Sequence, residues 1–524
     1  MMKIMGVLGS LALTLSAVLM AEDLPRAAKP ADAGVSAGAL ADLIANIGGF
    51  DEGRYGYAHS FMVIRNGKVA AEGWRRPFTP DKKHAMFSAS KSFTSTAIGI
   101  AADAGLLKLD DPVVKFFPEH ASGKISARMR TVTVRHLLMM ASGHRQCPFT
   151  QFCMQQGMVA EAAKLFGKIP VRKPLETLVP AGFPKFFLEC EPQGEPGTFF
   201  MYNNGATFML SAIVQKVAGK PLDKFLEEKL FTPMGIKDFF WEKSQDGICL
   251  GCTGLYLRTE DLAKFGVLLA KKGEWNGQRL ISADYLKAAT RKQIKVSDGM
   301  QYGYQFWIDP NGNFRVAGHM GQGVCVVPDK GLAIAYTAAA DEMRFCAPMS
   351  FAAEKLCLEE NPEKPGDAER LAARLAEAAK WTLPLPAGSE KLPDEAPGRY
   401  RLGKNAQNWE TLEITYTDNG LRLEFFPKKG LPPDMGALII AGTRAFADGG
   451  GMYIGPIFSR QTVAAAARAD GGAIALSLCT DGNIFLTSMR LRFDGDQVTI
   501  THTVPEYYGL MMDKSWEFTG KKEK

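Results

Sequence analysis

Ser88-Ala89-Ser90-Lys91 sets a hydroxyl and an amine three positions apart, where a helix is expected to begin. Positions three apart on a helix share a face, with Cβ atoms about 5–6 Å from each other, so the amine comes within reach of the hydroxyl. A serine needs a base beside it to attack at neutral pH. A lysine serves as that base where burial or nearby donors lower its proton affinity. The chemistry open to the pair is attack on a carbonyl through an acyl-serine. Ser90 lies one residue from Lys91 and faces elsewhere on the helix, which leaves Ser88 as the candidate nucleophile. S-x-x-K occurs once in the chain, as do Tyr202-Asn203-Asn204 (Y-x-N) and His319-Met320-Gly321 (H-x-G). Each alone is short enough to be incidental; their order carries the weight.

These residues need a frame. Residues 60–74 alternate across Asn66-Gly67, a hairpin signal because both turn positions take positive φ. Met86-Phe87-Ser88 then follows a strand and opens an apolar helix over 89–104, which Gly105 ends. Its N-terminus would offer N–H groups to an oxyanion. Amphipathic helices are expected over 134–141, 205–217 and 259–271. Y-x-N lies just after the turn signal Glu195-Pro196-Gly197. Residues 315–338 contain two apolar strand-like runs separated by Pro328-Asp329-Lys330-Gly331, and His319 sits in this glycine-rich, strand-like segment. Strands at both ends of a largely helical middle predict an α+β fold, an antiparallel sheet flanked by helices.

Near residue 360 the composition changes. Residues 361–367 are rich in Pro, Gly and charge, a helical run follows over 368–381, and several prolines occupy 384–398. Beyond them strands alternate around tight turns at Asp418-Asn419-Gly420 and Asp494-Gly495-Asp496, which predicts a small all-β unit of the kind that closes into a barrel. The expected organisation is a signal peptide over 1–21, a spacer over 22–45, the chemical domain over 46–360, a linker over 361–395 and a β-rich domain over 396–524.

Among 524 residues, 46% are hydrophobic and 23% charged, and the net charge of +6 is spread along the chain. No basic stripe or polybasic patch points to nucleic acid or a membrane surface. Lys3 and an uncharged run over 4–20, with Ala21 before Glu22-Asp23, read as a cleavable export signal rather than an uncleaved anchor. No cysteine at that junction suggests a lipid anchor, and no other segment could cross a membrane, so no integral membrane partner is implied. Export would permit disulfides among the nine cysteines, Cys147, Cys153 and Cys190 sharing one loop-rich stretch. Cys249-Leu250-Gly251-Cys252 lacks a second pair to complete four zinc ligands, so a local disulfide or two free thiols is expected. No metal or other cofactor is expected.

S-x-x-K, Y-x-N and H-x-G in this order resemble the serine β-lactamase and penicillin-binding-protein superfamily, specifically its class C branch. The spacer segments Gly105-Leu-Leu-Lys-Leu-Asp-Asp-Pro-Val113, Val132-Thr-Val-Arg-His-Leu-Leu138, Phe231-Thr-Pro-Met-Gly-Ile236 and Tyr302-Gly-Tyr-Gln-Phe-Trp307 are similar too, so the likeness runs over about 60–359. The resemblance implies that Ser88 attacks while Lys91, or Tyr202 acting with it, takes the proton. It implies that Asn204 hydrogen-bonds Lys91 or the substrate amide, and that the backbone N–H groups of Ser88 and Gln322 form the oxyanion hole beside the substrate-binding Gly321. Tyr202 would protonate the leaving group. Most β-lactamases of the family carry Lys where this chain has His319, which favours a small-molecule or peptide substrate with an ester, amide or D-peptide bond over a β-lactam. A true β-lactamase or DD-peptidase is the alternative, and a non-catalytic binding or sensing protein a further one. His136 and His144 are expected to be structural or on the surface, and residues 143–195 to border the cleft. The β-rich part is more weakly similar to the lipocalin-like domain of some members.

Overall fold

The computed structural model describes residues 23–49, 57–121, 124–155, 179–297, 299–340, 349, 353–405, 407–431, 436–451, 463–480, 486–504 and 514–523. The expected signal peptide lies outside them, as does Cys346. Among the described residues no helix is long and apolar enough to cross a membrane.

An eight-stranded antiparallel sheet runs in the order Lys68–Trp74, Ala58–Arg65, Leu332–Ala338, Gln322–Val327, Phe314–Gly318, Trp307–Ile308, Met300–Tyr302, Ile294–Ser297. Its first two strands are the expected hairpin, with Asn66 at φ 54° and Gly67 at φ 77° in the turn. The central strands are buried throughout because both faces are covered, and side chains alternate between them. Met62, Ile64, Val324, Val326, Ala333 and Ala335 face the core shared with the helix Thr259–Ala270 and the helical body. Phe61, Val63, Cys325, Ile334 and Tyr336 face a second core closed by the helices Ala37–Gly48 and Asp367–Ala378.

The segment 315–338 departs from expectation. It forms three strands rather than two, and His319-Met320-Gly321 makes the turn between Phe314–Gly318 and Gln322–Val327, with Met320 at φ 62° and Gly321 at φ 88°. Two apolar runs with a glycine pair between them look continuous in a sequence, whereas three residues suffice to reverse the chain. The helix expected over 134–141 stops at Leu138, and Met140 at φ 57° turns the chain out.

The C-terminal strands form a closed barrel of nine: Val463–Asp470, Ala473–Thr480, Leu486–Asp494, Gln497–Val504, Lys514–Lys522, Gly398–Leu402, Trp409–Thr417, Gly420–Pro427 and Ala437–Gly442. Eight successive pairings are antiparallel, so the first and last strands of an odd-numbered ring must run the same way. The seam is accordingly parallel and short, Ala441 opposite Ala465 and Gly442 opposite Ala466. Alternate residues fill the interior, Leu412, Ile414, Leu421, Leu423, Leu476, Leu491 and Ile500 among them.

Candidate active site

Ser88 stands on a turn pressed from several sides. Before it, His84–Ala85 pairs with Leu257 and Tyr256, and Met86 N–H donates to Leu255 O at 2.8 Å. Phe87 then takes φ 44°, a left-handed conformation that costs an L-residue about 1–2 kcal/mol and persists where packing enforces it. Its ring meets His319 edge-on, with centroids 6.0 Å apart, and packs with Met320 and Ala339. Gly318 closes the other side: a Cβ there would stand 2.1 Å from Met86 O, so only glycine lets the strand approach the turn.

The helix Ser90–Asp103 behind this turn is buried from Ser90 to Ala101, hydroxyls included. Its polar side chains gain their stability from fixed partners. Thr94 Oγ1 donates to Gly251 O at 2.9 Å, Ser92 Oγ to Gln305 O at 2.7 Å, and Ser90 Oγ accepts from Leu255 N–H at 3.2 Å. Ser90 is therefore turned away from the site, as its position on the helix implies. Lys91, 1% exposed, places Nζ 2.9 Å from Ser88 Oγ and 2.6 Å from Cys252 O. The Cys252 carbonyl is in turn held by its neighbours: Ser211 Oγ bonds Cys249 O at 2.8 Å, and Thr94 bonds Gly251.

Cys249 and Cys252 are free thiols, one of the two outcomes left open by their spacing. Cys249 Sγ donates to Asp223 Oδ1 at 3.3 Å, and burial pushes the Cys252 thiol up to about 11, so neither is reactive at neutral pH. Cys147, Cys153, Cys190, Cys325 and Cys357 are free as well. Among the described residues no cluster of three or more His, Cys, Asp or Glu could hold a metal ion.

Tyr202 joins Ser88 and Lys91: Lys91 Nζ lies 4.8 Å from the centre of its ring, which also stacks with Trp307 at 6.0 Å and 18°. Phe200 and Tyr302 extend this aromatic wall. Asn203 caps the helix Asn204–Ala218, accepting from Ala206 N–H and donating to Ser142 Oγ. Asn204, first in that helix, has a buried Oδ1 with no hydrogen-bond partner. It does not bond Lys91, whose partners are Ser88 and Cys252. Past the His319 turn, Gly321 leads into Gln322, whose fully buried side chain donates to Ala338 O at 2.6 Å and fixes the start of its strand.

Several contributors escaped sequence reasoning. Gln305, 2% exposed, bonds Thr207, Leu137 O and Leu138 O, tying two helices together beside the site. It lies inside the family-like segment 302–307, which was its one signal. The Cys252 carbonyl and the Phe87 conformation are backbone features and left none. His136 and His144 are structural: His136 Nδ1 accepts from Thr133 N–H at its own helix start, and His144 bridges Ser142 and Cys190 O.

Comparison with known proteins matches residues 40–348 to the Beta-lactamase family model. The 6-aminohexanoate-dimer hydrolase of Paenarthrobacter ureafaciens is 23% identical over 282 residues, 51% of this chain and 69% of that protein. A β-lactamase of Pseudomonas fluorescens is 24% identical over 188 residues, 34% of this chain and 45% of its own. A solved Bacillus anthracis protein, provisionally assigned as a 6-aminohexanoate-dimer hydrolase, shares the fold at TM-score 0.50 and 19% identity, over 65% of this chain and 88% of that one. With a family match across more than half its length, the chain belongs to the β-lactamase family and is a serine hydrolase.

Proposed function

We propose that this protein cleaves an uncharged ester, amide or D-peptide bond through an acyl-enzyme on Ser88. The observation that carries the reading is Lys91 Nζ, buried and 2.9 Å from Ser88 Oγ, with its other hydrogen bond to a backbone carbonyl. Ser88 Oγ attacks the carbonyl as its proton passes to Lys91, or to Tyr202 beside it. The N–H groups of Ser88 and Gln322 hold the oxyanion, a contribution of about 10²–10³-fold per donor. Tyr202 returns the proton to the leaving group, and a water then attacks the ester carbon and frees Ser88. The partnerless Asn204 Oδ1 accepts an N–H from an amide substrate, which removes its desolvation cost. Gly321 gives the substrate backbone close approach at the turn.

His319 in place of a lysine supports a substrate with no carboxylate at that end, because an imidazole is largely neutral at pH 7. The aromatic wall of Tyr202 and Trp307 supports an apolar acyl or leaving group. One relative is a 6-aminohexanoate-dimer hydrolase, and the methylene stretch of an amide substrate would fit that wall. Export belongs to the same reading, supported by Lys3, the uncharged run and Ala21. Mature protein recovered from the periplasm is expected to begin at Glu22; retention of residues 1–21 would refute cleavage.

The test of the chemistry is intact-mass measurement after incubation with a fluorophosphonate and, separately, a penicillin, with Ser88→Ala alongside. One adduct absent from Ser88→Ala is the expected result. A persistent penicilloyl mass would instead favour a DD-peptidase or slow β-lactamase, and no adduct on folded wild type would leave a binding protein.

A further inference from the structure

We propose that the closed barrel is a positioning element of the hydrolytic site, gripping Phe78 over a buried His59–His84 pair that holds the strand delivering Ser88. The proposal rests on Ser88 being the nucleophile.

The path is continuous in space. Phe78 is 5% exposed and shares a small core with Leu383 and with Cys479 of the barrel, onto which Phe446 and Leu486, also of the barrel, pack. Beside it Lys82 forms an ion pair with Asp448, which sits at the barrel seam. On its other face the Phe78 ring stacks on the His59 imidazole, centroids 3.9 Å apart at 19°. His59 Nδ1 and His84 Nε2 are 2.9 Å apart and share one proton between them. Four residues beyond His84 stands Ser88.

Two features make this a lever rather than packing alone. The strand His84–Ala85 is only two residues long, and it leads directly into Phe87, whose left-handed backbone must be enforced from outside. Gly318 and Leu255 press on the turn from the sheet side, and the imidazole of His84 anchors it from the barrel side. The pair itself survives only while dry: it has one hydrogen bond between two rings, and opening it to water would let solvent compete for both nitrogens. Phe78 is the lid that excludes water, and barrel side chains hold that lid down. The connecting chain is stitched to the same place. Arg75 Nε donates to Ala58 O at 3.0 Å with its guanidinium over the Tyr57 and Trp381 rings, and Leu383 N–H bonds Arg76 O at 2.7 Å.

The experiment follows fluorophosphonate labelling of Ser88 in the full chain by intact mass, resolving the limiting rate from the half-saturating concentration. Phe78→Ala should lower the limiting rate about tenfold, within the hundredfold that a ~1 Å misplacement can cost, at unchanged half-saturation. Phe78→Leu should recover most of the rate, and Leu486→Ala, on the barrel side, should give a smaller loss of the same kind. Leu423→Ala, inside the barrel and away from the contact, should lower Tm and leave the rate alone. A wild-type rate in folded Phe78→Ala would overturn the proposal, as would a rate in Leu423→Ala that falls in step with Tm. Should Phe78→Ala fail to fold, Leu486→Ala and Phe446→Ala decide on the same terms. Failure of wild type to label at Ser88 would instead sink the nucleophile assignment, before any variant is compared.

Discussion

The helices packed around Ser88 and the interior of the barrel bury polar side chains on different terms. Around Ser88 the interior holds Ser90, Lys91, Ser92, Thr94, Ser95, Thr96, Asn203, Thr207, Ser211 and Gln305, each with a hydrogen-bond partner. The barrel interior is a run of Leu, Ile, Ala and aromatic residues in which Thr487 Oγ1 and His502 Nε2 are buried without one. In the first region a bonded network specifies where Ser88 and Lys91, the proposed nucleophile and base, must sit. In the second, ring closure specifies the shape and the polar atoms add nothing to it. The difference teaches that bonded polar residues around Ser88 hold side chains in place, whereas the barrel keeps its shape without them.

The largest effect should come from breaking the network at its chemical end. Lys91→Met is expected to lower fluorophosphonate labelling by about 10²–10⁴-fold, the usual worth of a positioned base, with the fold intact by circular dichroism. Labelling that survives would reassign the proton acceptor. Next is Gln305→Leu, which strips Thr207 Oγ1 and the Leu137 and Leu138 carbonyls of their partner. Each buried orphan costs about 1–3 kcal/mol, so denaturant melts should show a large loss of stability. A stability close to wild type would mean the network is not what holds the two helices.

Much of this contrast could be read from the chain beforehand, and the unread part has a common cause. Ser88, Lys91 and Tyr202 are close together, and the turns at Asn66-Gly67, Asp418-Asn419-Gly420 and Asp494-Gly495-Asp496 join strands as expected, because spacing and turn chemistry are local. The helix Asn204–Ala218 falls within a residue of its expected bounds for the same reason. The short strand His84–Ala85, the carbonyl that meets Lys91 and the two-pair barrel seam depend on contacts distant in sequence. A backbone oxygen, moreover, is the same atom in every residue. The His319 turn was misplaced because its flanks are apolar on both sides, and hydrophobic patterning cannot see a reversal three residues long.

A third effect is a shared weakness to acid. Burial holds His59 well below the usual imidazole range, with Arg75 nearby adding to the effect, and brings His84 and His502 down to about 4. All three stay neutral in the fold, whereas the unfolded chain takes up protons below about pH 6.5. The unfolded state then binds more protons, so stability is complete above about pH 6.5 and falls as pH drops toward 4, by up to ~1.4 kcal/mol per pH unit for each group. Chemical melts at pH 7 and pH 5 should show the loss. His502→Leu should make it shallower without touching the site, while a slope unchanged in that variant would place the acid sensitivity outside the barrel.

The smallest effect sharpens the comparison most. Thr487 is 1% exposed on the strand Leu486–Asp494, opposite Leu478, and its hydroxyl left water without gaining a bond. Thr487→Val keeps the branched shape and removes the oxygen, so the folded state no longer bears that desolvation, about 1–3 kcal/mol on protein scales. The same exchange in the network, Thr94→Val, removes the donor to Gly251 O beside the Cys252 carbonyl and should destabilise by about as much. Opposite signs for one chemical change in two interiors are what the contrast requires. Equal signs would mean that the barrel hydroxyl has a stabilising partner in solution, and that the two regions bury polar groups by one rule.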